Sequence, residues 1–159
     1  MRFHLIDRID EVWRWKRITG VKCITLADDV FNEHFPGYPI FPGSLIMEGL
    51  AQLAGSFFEM ALTDRGQPHL RAVLSIVREF KIRQPAGPGD RLSYTAEIRA
   101  LQEGFGAAMV EATLDGALCA RGELMFTFVK LENEVLSRSR NELYEIVTRN
   151  TRFHDETDL

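Results

Sequence analysis

One histidine and one glutamate stand where they could act together as a base and an acid. His34 lies in a segment, residues 31–43, that holds three prolines and two glycines, and Glu48 follows it by 14 residues (48 − 34). A proline fixes its own φ and restricts the residue before it, so this segment is predicted to be a stiff loop. Taken alone, His34 fits equally well as a packed or solvated loop histidine.

The residues after the loop predict how the glutamate is positioned. Ser44 to Leu62 contains no proline and only two charged residues, Glu48 and Glu59, which indicates an enclosed α-helix. Gly43 precedes this helix, where N–H groups without an intrahelical partner can bind an oxyanion. An imidazole, a carboxylic acid and such an N–H can together remove a proton α to a carbonyl and protonate a leaving group.

Two residues of the predicted helix also have simpler interpretations. Glu48 could be a carboxylate that the positive end of the helix dipole stabilises. Gln52 lies one turn beyond Glu48 on the same face and could orient that carboxylate. It could equally be a buried amide that pairs with backbone. The sequence leaves these alternatives open.

The remaining pattern is mostly strand. A strand, a turn at Thr19-Gly20 and a second strand are predicted within Phe3–Leu26, and Asp115-Gly116 is a strong hairpin signal. The order strands, helix, strands argues against alternating βαβ units and favours an α+β fold with an antiparallel sheet curled around one buried helix. The later strands are predicted at Leu70–Val77, Glu79–Arg83, Arg91–Leu101, Ala107–Leu114 and Ala117–Lys130.

The end of the chain has a different composition. We divide the sequence into a main domain, residues 1–130, and a C-terminal extension, residues 131–159, of unknown role. Asn133–Val147 is predicted to be a polar, weakly amphipathic helix. Arg152–Leu159 is predicted to be a frayed tail.

Composition and charge exclude several functions. The 159 residues suit one domain, and 19 Lys+Arg against 23 Asp+Glu give a net charge of −4, so no global basic field favours nucleic acid or an anionic membrane. No apolar run is long enough to predict a membrane span. Cys23 and Cys119 lie far apart and favour reduced thiols in a cytoplasmic protein. No metal site is predicted, because His4, His69 and His154 lack ligand spacing.

Four motifs carry a resemblance to a known family. The runs HFPGYPIFPG at 34–43 and LIMEGLAQ at 45–52 closely resemble the FabZ-type 3-hydroxyacyl-[acyl-carrier-protein] dehydratases of the FabA/FabZ family. FKIRQP at 80–85 with PGD at 88–90 looks like that family's strand-and-turn motif. The resemblance covers roughly residues 5–129. It implies a hotdog fold, in which a sheet wraps a long central helix.

The resemblance also implies an activity. A FabZ-type enzyme dehydrates (3R)-3-hydroxyacyl-[acyl-carrier-protein] to the trans-2-enoyl thioester, in fatty acid or related acyl or polyketide biosynthesis. His34 would be the base and Glu48 the acid, while the Gly43 N–H would polarise the thioester carbonyl. Gln52, Phe35 and Pro42 would complete the substrate site. No metal or redox cofactor is implied, because the phosphopantetheine arm belongs to the substrate.

The implied partners are the acyl-carrier protein and further copies of the chain. In this family the His and the Glu of one site come from different subunits of a dimer, and dimers often assemble into hexamers as trimers of dimers. Basic residues at the tunnel mouth receive the acidic carrier, and the candidates here are Arg78, Lys81, Arg83 and Arg91. A solvated strand edge would explain these four residues equally well.

One position departs from the family pattern. FabZ-type motifs usually have glycine before the histidine, and Glu33 stands there in this chain. A carboxylate beside His34 could weaken the base or simply face solvent. Two other functions stay open. One is a hotdog thioesterase, in which the carboxylate activates water, and the other is a non-catalytic acyl-binding or partner subunit, in which Glu33 disables the base.

Overall fold

The computed structural model describes residues 3–155 and 157. Within these residues the chain forms seven strands and two α-helices, with a short 3-10 helix at Asp29–Asn32. The helices are α1 (Gly43–Asp64) and α2 (Glu134–Val147). The strands are β1 (Arg8–Trp13), β2 (Arg17–Cys23), β3 (Leu70–Ile82), β4 (Arg91–Gln102), β5 (Phe105–Leu114), β6 (Ala117–Lys130) and β7 (Arg152–His154).

All seven strands form one sheet, in the order β3-β6-β5-β4-β2-β1-β7. Neighbouring strands are antiparallel except β7, which runs parallel to β1. Helix α1 packs against β2, β3, β4, β5 and β6, so the sheet curls around it. The apolar face of α1 supplies Leu50, Leu53 and Phe58, all fully buried. The predicted α+β class and the sheet around one buried helix are therefore confirmed.

Helix α1 is the one helix in the described part of the chain that is long and apolar enough to cross a membrane by composition. Of the window that passes this test, 61% is buried inside the protein. The sheet therefore encloses this apolar surface, as expected for the core helix of a folded domain.

The first hairpin differs from the prediction. Thr19 and Gly20 lie inside β2, and the turn falls at residues 14–16, where Lys16 N donates to Trp13 O at 3.0 Å. Trp15 has φ = 61°, a conformation that usually marks a glycine or asparagine. Gly20 has a packing role: a Cβ there would lie 2.8 Å from Arg8 O and 3.1 Å from Leu53 Cδ1.

The later strands agree better with the pattern. The two strands predicted for residues 70–83 form the single strand β3, with a register shift between Arg78 and Lys81. The hairpin at Asp115-Gly116 is confirmed: both residues have positive φ, 49° and 82°, as a type I′ turn requires.

The C-terminal extension is ordered further than the sequence suggested. Asn133 caps α2 by accepting from Val135 N and Leu136 N, both at 3.1 Å. The predicted frayed tail is wrong for Arg152–His154, because these residues form β7 and pair with Glu11–Trp13. Residues 156, 158 and 159 of that tail lie outside the described residues.

Candidate active site

The loop of residues 31–43 is shaped by local backbone hydrogen bonds. Tyr38 N donates to Phe35 O at 2.9 Å across Pro36 and Gly37, and Gly37 has φ = 78°. Proline followed by a glycine with positive φ is the signature of a type II turn. A further hydrogen bond joins the two residues that flank this turn, because Ile40 N donates to His34 O at 3.1 Å.

His34 sits at the base of this turn. Its backbone N–H donates to Val30 O at 3.0 Å, and its half-buried imidazole stacks on the Phe35 ring with the centroids 4.2 Å apart. Phe35 is itself half exposed, so both rings border on solvent. Glu33 is exposed. These hydrogen bonds thus fix the backbone of His34, while its imidazole ring stays accessible to solvent.

Helix α1 begins at a glycine that no other residue could replace without movement. Phe41 N donates to Ala86 O at 2.8 Å, and the buried Pro42 caps the helix by accepting from Leu45 N at 2.9 Å. A Cβ on Gly43 would lie only 2.0 Å from Ile82 Cδ1. The first N–H groups of α1, that of Gly43 included, have no acceptor within the helix.

Glu48 is held by a short chain of hydrogen bonds. Gln52 Nε2 donates to Glu48 Oε1 at 3.1 Å, and Gln52 Oε1 accepts from Leu5 N at 2.9 Å. A second contact joins Gln52 Nε2 to Phe3 O at 3.4 Å. Because the amide oxygen is committed to Leu5, the amide nitrogen must face Glu48. The predicted pairing of Gln52 with Glu48 is present, and so is its alternative, pairing with backbone.

Glu48 and Gln52 line a groove of about 920 Å³ along the outer face of α1. Further lining side chains on α1 are Ser56, Glu59 and Thr63, which follow at helical spacing. His34, Phe35, Pro42 and Gly43 are not part of this lining. Within one chain, the histidine loop and the carboxylate of α1 therefore do not meet in this groove.

The four basic candidates for carrier binding are exposed, but they do not all lie together. Arg78 Nη1 lies 3.9 Å from Glu123 Oε2, and Lys81 stands opposite Arg121 in the pairing of β3 with β6. Arg83 follows β3 and Arg91 begins β4, three strand spacings away or about 14 Å. Arg91 thus stands apart from the other three.

Sequence reasoning missed the contribution of α2 to the groove. Arg140, Tyr144 and Val147 share one face of α2 and line the groove together with Glu48. The signal was their spacing of four and three residues, but this spacing does not say which surface the face contacts.

No three His, Cys, Asp or Glu side chains of the described residues lie close enough together to hold a metal ion. Cys23 is exposed and Cys119 is buried, and neither forms a disulfide. Burial raises the pKa of the Cys119 thiol.

Fold and motif together define the class of this protein. A long helix wrapped by one sheet is the architecture of a hotdog protein, and in this chain a histidine loop precedes that helix and a carboxylate lies on it. Residues 1–123 match the model of the FabA-like domain family. The chain belongs to this family and, within it, resembles the FabZ-type dehydratases.

Two curated relatives carry the same name. The chain is 40% identical over 127 residues to the 3-hydroxyacyl-[acyl-carrier-protein] dehydratase FabZ of Acetivibrio thermocellus, covering 80% of this chain and 85% of that protein. It is 36% identical over 125 residues to the FabZ of Campylobacter curvus, covering 77% and 84%.

Solved structures agree on the fold. The dehydratase heterocomplex ApeI:P from Xenorhabdus doucetiae aligns with a TM-score of 0.66 at 16% identity, over 87% of this chain and 90% of that one. A hot-dog-like protein from Thermanaerovibrio acidaminovorans gives 0.59 at 18% identity, over 80% and 90%. The fluoroacetyl-CoA thioesterase FlK gives 0.61 at 15% identity, over 80% and 94%. At these identities the likeness concerns the fold alone.

Proposed function

We propose that this chain dehydrates (3R)-3-hydroxyacyl-[acyl-carrier-protein] to the trans-2-enoyl thioester and water. The observation that carries the proposal is the Glu48 carboxylate on the enclosed helix, fixed by Gln52 at 3.1 Å and facing a groove. A carboxyl group positioned this way is suited to general acid catalysis. The names of the curated relatives support the same reaction.

In the proposed mechanism His34 removes the proton from C2 of the acyl group. The electron pair moves onto the thioester oxygen, which accepts a hydrogen bond from the Gly43 N–H. As the enolate collapses, the C2–C3 double bond forms and the C3–O bond breaks. Glu48 gives its proton to the departing hydroxyl, which leaves as water. The Gln52 amide keeps the carboxyl aimed at C3, and Phe35 and Pro42 border the substrate.

We further propose that each site combines His34 of one subunit with Glu48 of another. His34 does not line the groove of its own chain, which supports completion of the site by a second copy. The exposed edge strand β3 offers a surface for that copy, since Val73, Ile76 and Val77 are 48%, 50% and 41% exposed. An unpaired edge with exposed β-branched side chains favours pairing with another strand. A homodimer is the minimal unit of this proposal, and three dimers could assemble into a hexamer.

The remaining parts of the proposal follow from the reaction. The acyl-carrier protein delivers the substrate on its phosphopantetheine arm, so no separate cofactor is required. Lys81, Arg83 and Arg78 are the proposed contacts for the acidic carrier, with Arg91 as a more distant one. A cytoplasmic location, which the two free cysteines favour, is also part of the proposal.

The activity is tested by incubating the protein with 3-hydroxyacyl and enoyl carrier thioesters and following their interconversion by mass spectrometry. We expect a loss of one water that disappears in His34→Ala and in Glu48→Ala. His69→Ala, at an exposed histidine before β3, is the matched control and should retain activity. Free acid and thiol as products would instead identify a thioesterase. Tight binding without turnover would identify a partner subunit.

The shared site is tested by mixing the two inactive variants. If His34 and Glu48 act across subunits, a mixed dimer of His34→Ala and Glu48→Ala keeps one intact site. Random mixing of equal amounts should then restore about a quarter of the wild-type activity, because half of the dimers are mixed. If both residues act within one subunit, the mixture should stay as inactive as its components. Glu33→Gly, assayed alongside, shows whether the unusual carboxylate weakens the base.

A further inference from the structure

The C-terminal extension lies outside the family match yet is fixed to the main domain. The match ends at residue 123, before α2 and β7. Arg140 of α2 forms an ion pair with Glu59 of α1, and Val147 is only 5% exposed and belongs to the main hydrophobic core. Beyond α2, Thr151 Oγ1 donates to Ile9 O at 2.7 Å and β7 extends the sheet. The extension is therefore held at several separate points.

Helix α2 of the extension forms part of the wall of the groove that Glu48 lines. The lining on α1 runs from Glu48 to Asp64, and within it Glu59, the partner of Arg140, lies 11 positions after Glu48 (59 − 48). At 1.5 Å per residue this is a distance of about 16 Å along the helix axis. Five side chains of α2 line the groove: Arg140, Asn141, Leu143, Tyr144 and Val147. The groove thus has Glu48 near one end and α2 as a wall toward the other.

A charged pair lines the groove beside α2, together with apolar side chains such as Leu143 and Val147. Glu59 Oε1 accepts from Ala72 N at 3.0 Å, while Oε2 pairs with the Arg140 guanidinium. Burial lowers the pKa of Arg140, which indicates that this guanidinium is partly removed from water. Arg71 also lines the groove and donates to Pro68 O at 2.8 Å. An alkyl chain that reached these groups would displace their remaining water without offering a hydrogen bond.

We propose that α2 forms the distal wall of the acyl-binding groove and limits the length of the acyl chain that the enzyme accepts. This proposal rests on the function proposed above, which places the reacting carbons beside Glu48. An extended alkyl chain advances about 1.3 Å per carbon, given C–C bonds of about 1.52 Å, so 16 Å holds about 12 carbons. Short and medium chains fit between Glu48 and Glu59, and longer chains meet the Arg140–Glu59 pair.

The test compares kcat/KM for 3-hydroxyacyl thioesters of increasing length, from about 6 to about 16 carbons. At about 1.3 Å per carbon the longest exceeds the distance from Glu48 to Glu59. Arg140→Leu replaces the charged end by an apolar side chain. We expect the ratio of long-chain to short-chain kcat/KM to rise about tenfold, the effect of burying roughly two more methylene groups. Asn141→Leu, at an exposed position of the same wall, should raise the ratio in the same direction. The matched control is Arg138→Leu, since Arg138 is exposed and outside the lining.

The proposal is overturned if Arg140→Leu and Asn141→Leu, with circular dichroism spectra like the wild type, leave the length profile unchanged. It is equally overturned if the two variants change kcat/KM by the same factor at every acyl length. Affinity for stable acyl-phosphopantetheine amides, measured by calorimetry over the same lengths, gives a readout that needs no turnover. The two proposals can fail separately. If neither the wild type nor any variant turns over a substrate, but the variants change how affinity depends on acyl length, the dehydration proposal fails and the proposal about α2 stands.

Discussion

Substitution by alanine should have opposite effects on stability at two glycines of α1. A Cβ on Gly49 would lie 2.7 Å from both Cε2 and the hydroxyl oxygen of Tyr94, and 3.0 Å from Leu5 O. A Cβ on Gly55 would meet nothing closer than Phe126 Cε1 at 3.5 Å, an ordinary contact. Both glycines are buried in the same helix, so they form a matched pair.

The magnitudes follow from two effects. Alanine in place of glycine within a helix stabilises by about 0.5–1 kcal/mol, and this gain applies to both positions. At Gly49 the added methyl group must also displace the fully buried Tyr94 ring, and overpacking of this kind costs about 1–3 kcal/mol. The helix gain cancels in the comparison, so Gly49→Ala should be less stable than Gly55→Ala by about 1–3 kcal/mol.

Urea unfolding followed by circular dichroism measures this difference, at one fixed protein concentration because assembly affects apparent stability. Thermal melts should separate the two variants by about 2–4 °C for each kcal/mol. Adding Tyr94→Phe to Gly49→Ala removes one of the two close contacts and should recover part of the loss. Equal stability of the two alanine variants would refute the close approach of α1 to β4 at Gly49.

Three further predictions concern single polar side chains of the described residues. Gln52→Ala frees the Glu48 carboxyl and should lower kcat about tenfold, or about 1.4 kcal/mol, with little change in KM, as steady-state kinetics would show; an unchanged kcat would remove Gln52 from the positioning role. Asn133→Ala removes the cap of α2 and should cost this helix about 1 kcal/mol, seen as faster hydrogen exchange of its amides, whereas Asn133→Asp should exchange like the wild type. Burial raises the pKa of the Tyr94 phenol, so the stability contributed by its neutral form is complete below the ordinary pKa and is lost as the pH rises through the raised value. Tyr94→Phe should therefore lose less stability than the wild type between neutral and strongly alkaline pH in urea titrations, and a parallel loss in both proteins would contradict this assignment.

The sequence by itself determined the features that depend on nearby residues. The proline and glycine pattern of residues 31–43 identified the stiff loop, and the apolar run after it identified α1 to within two residues at each end. Asp115-Gly116 identified its hairpin, and Asn133 identified the start of α2. Each signal lies within a few residues of the structure it specifies, because turn and cap preferences arise from local sterics and local hydrogen bonds.

Only the tertiary structure decided how distant segments meet. The first turn falls at Trp15 and not at Gly20, because Gly20 is needed inside β2 where the strand approaches β1 and α1. The short strand β7 exists through its pairing with β1, about 140 residues earlier in the chain. The ion pair of Arg140 with Glu59, which lies along the groove, joins residues 81 positions apart. Such contacts depend on how the helices and the sheet pack, and no local pattern encodes which surface an amphipathic helix will cover.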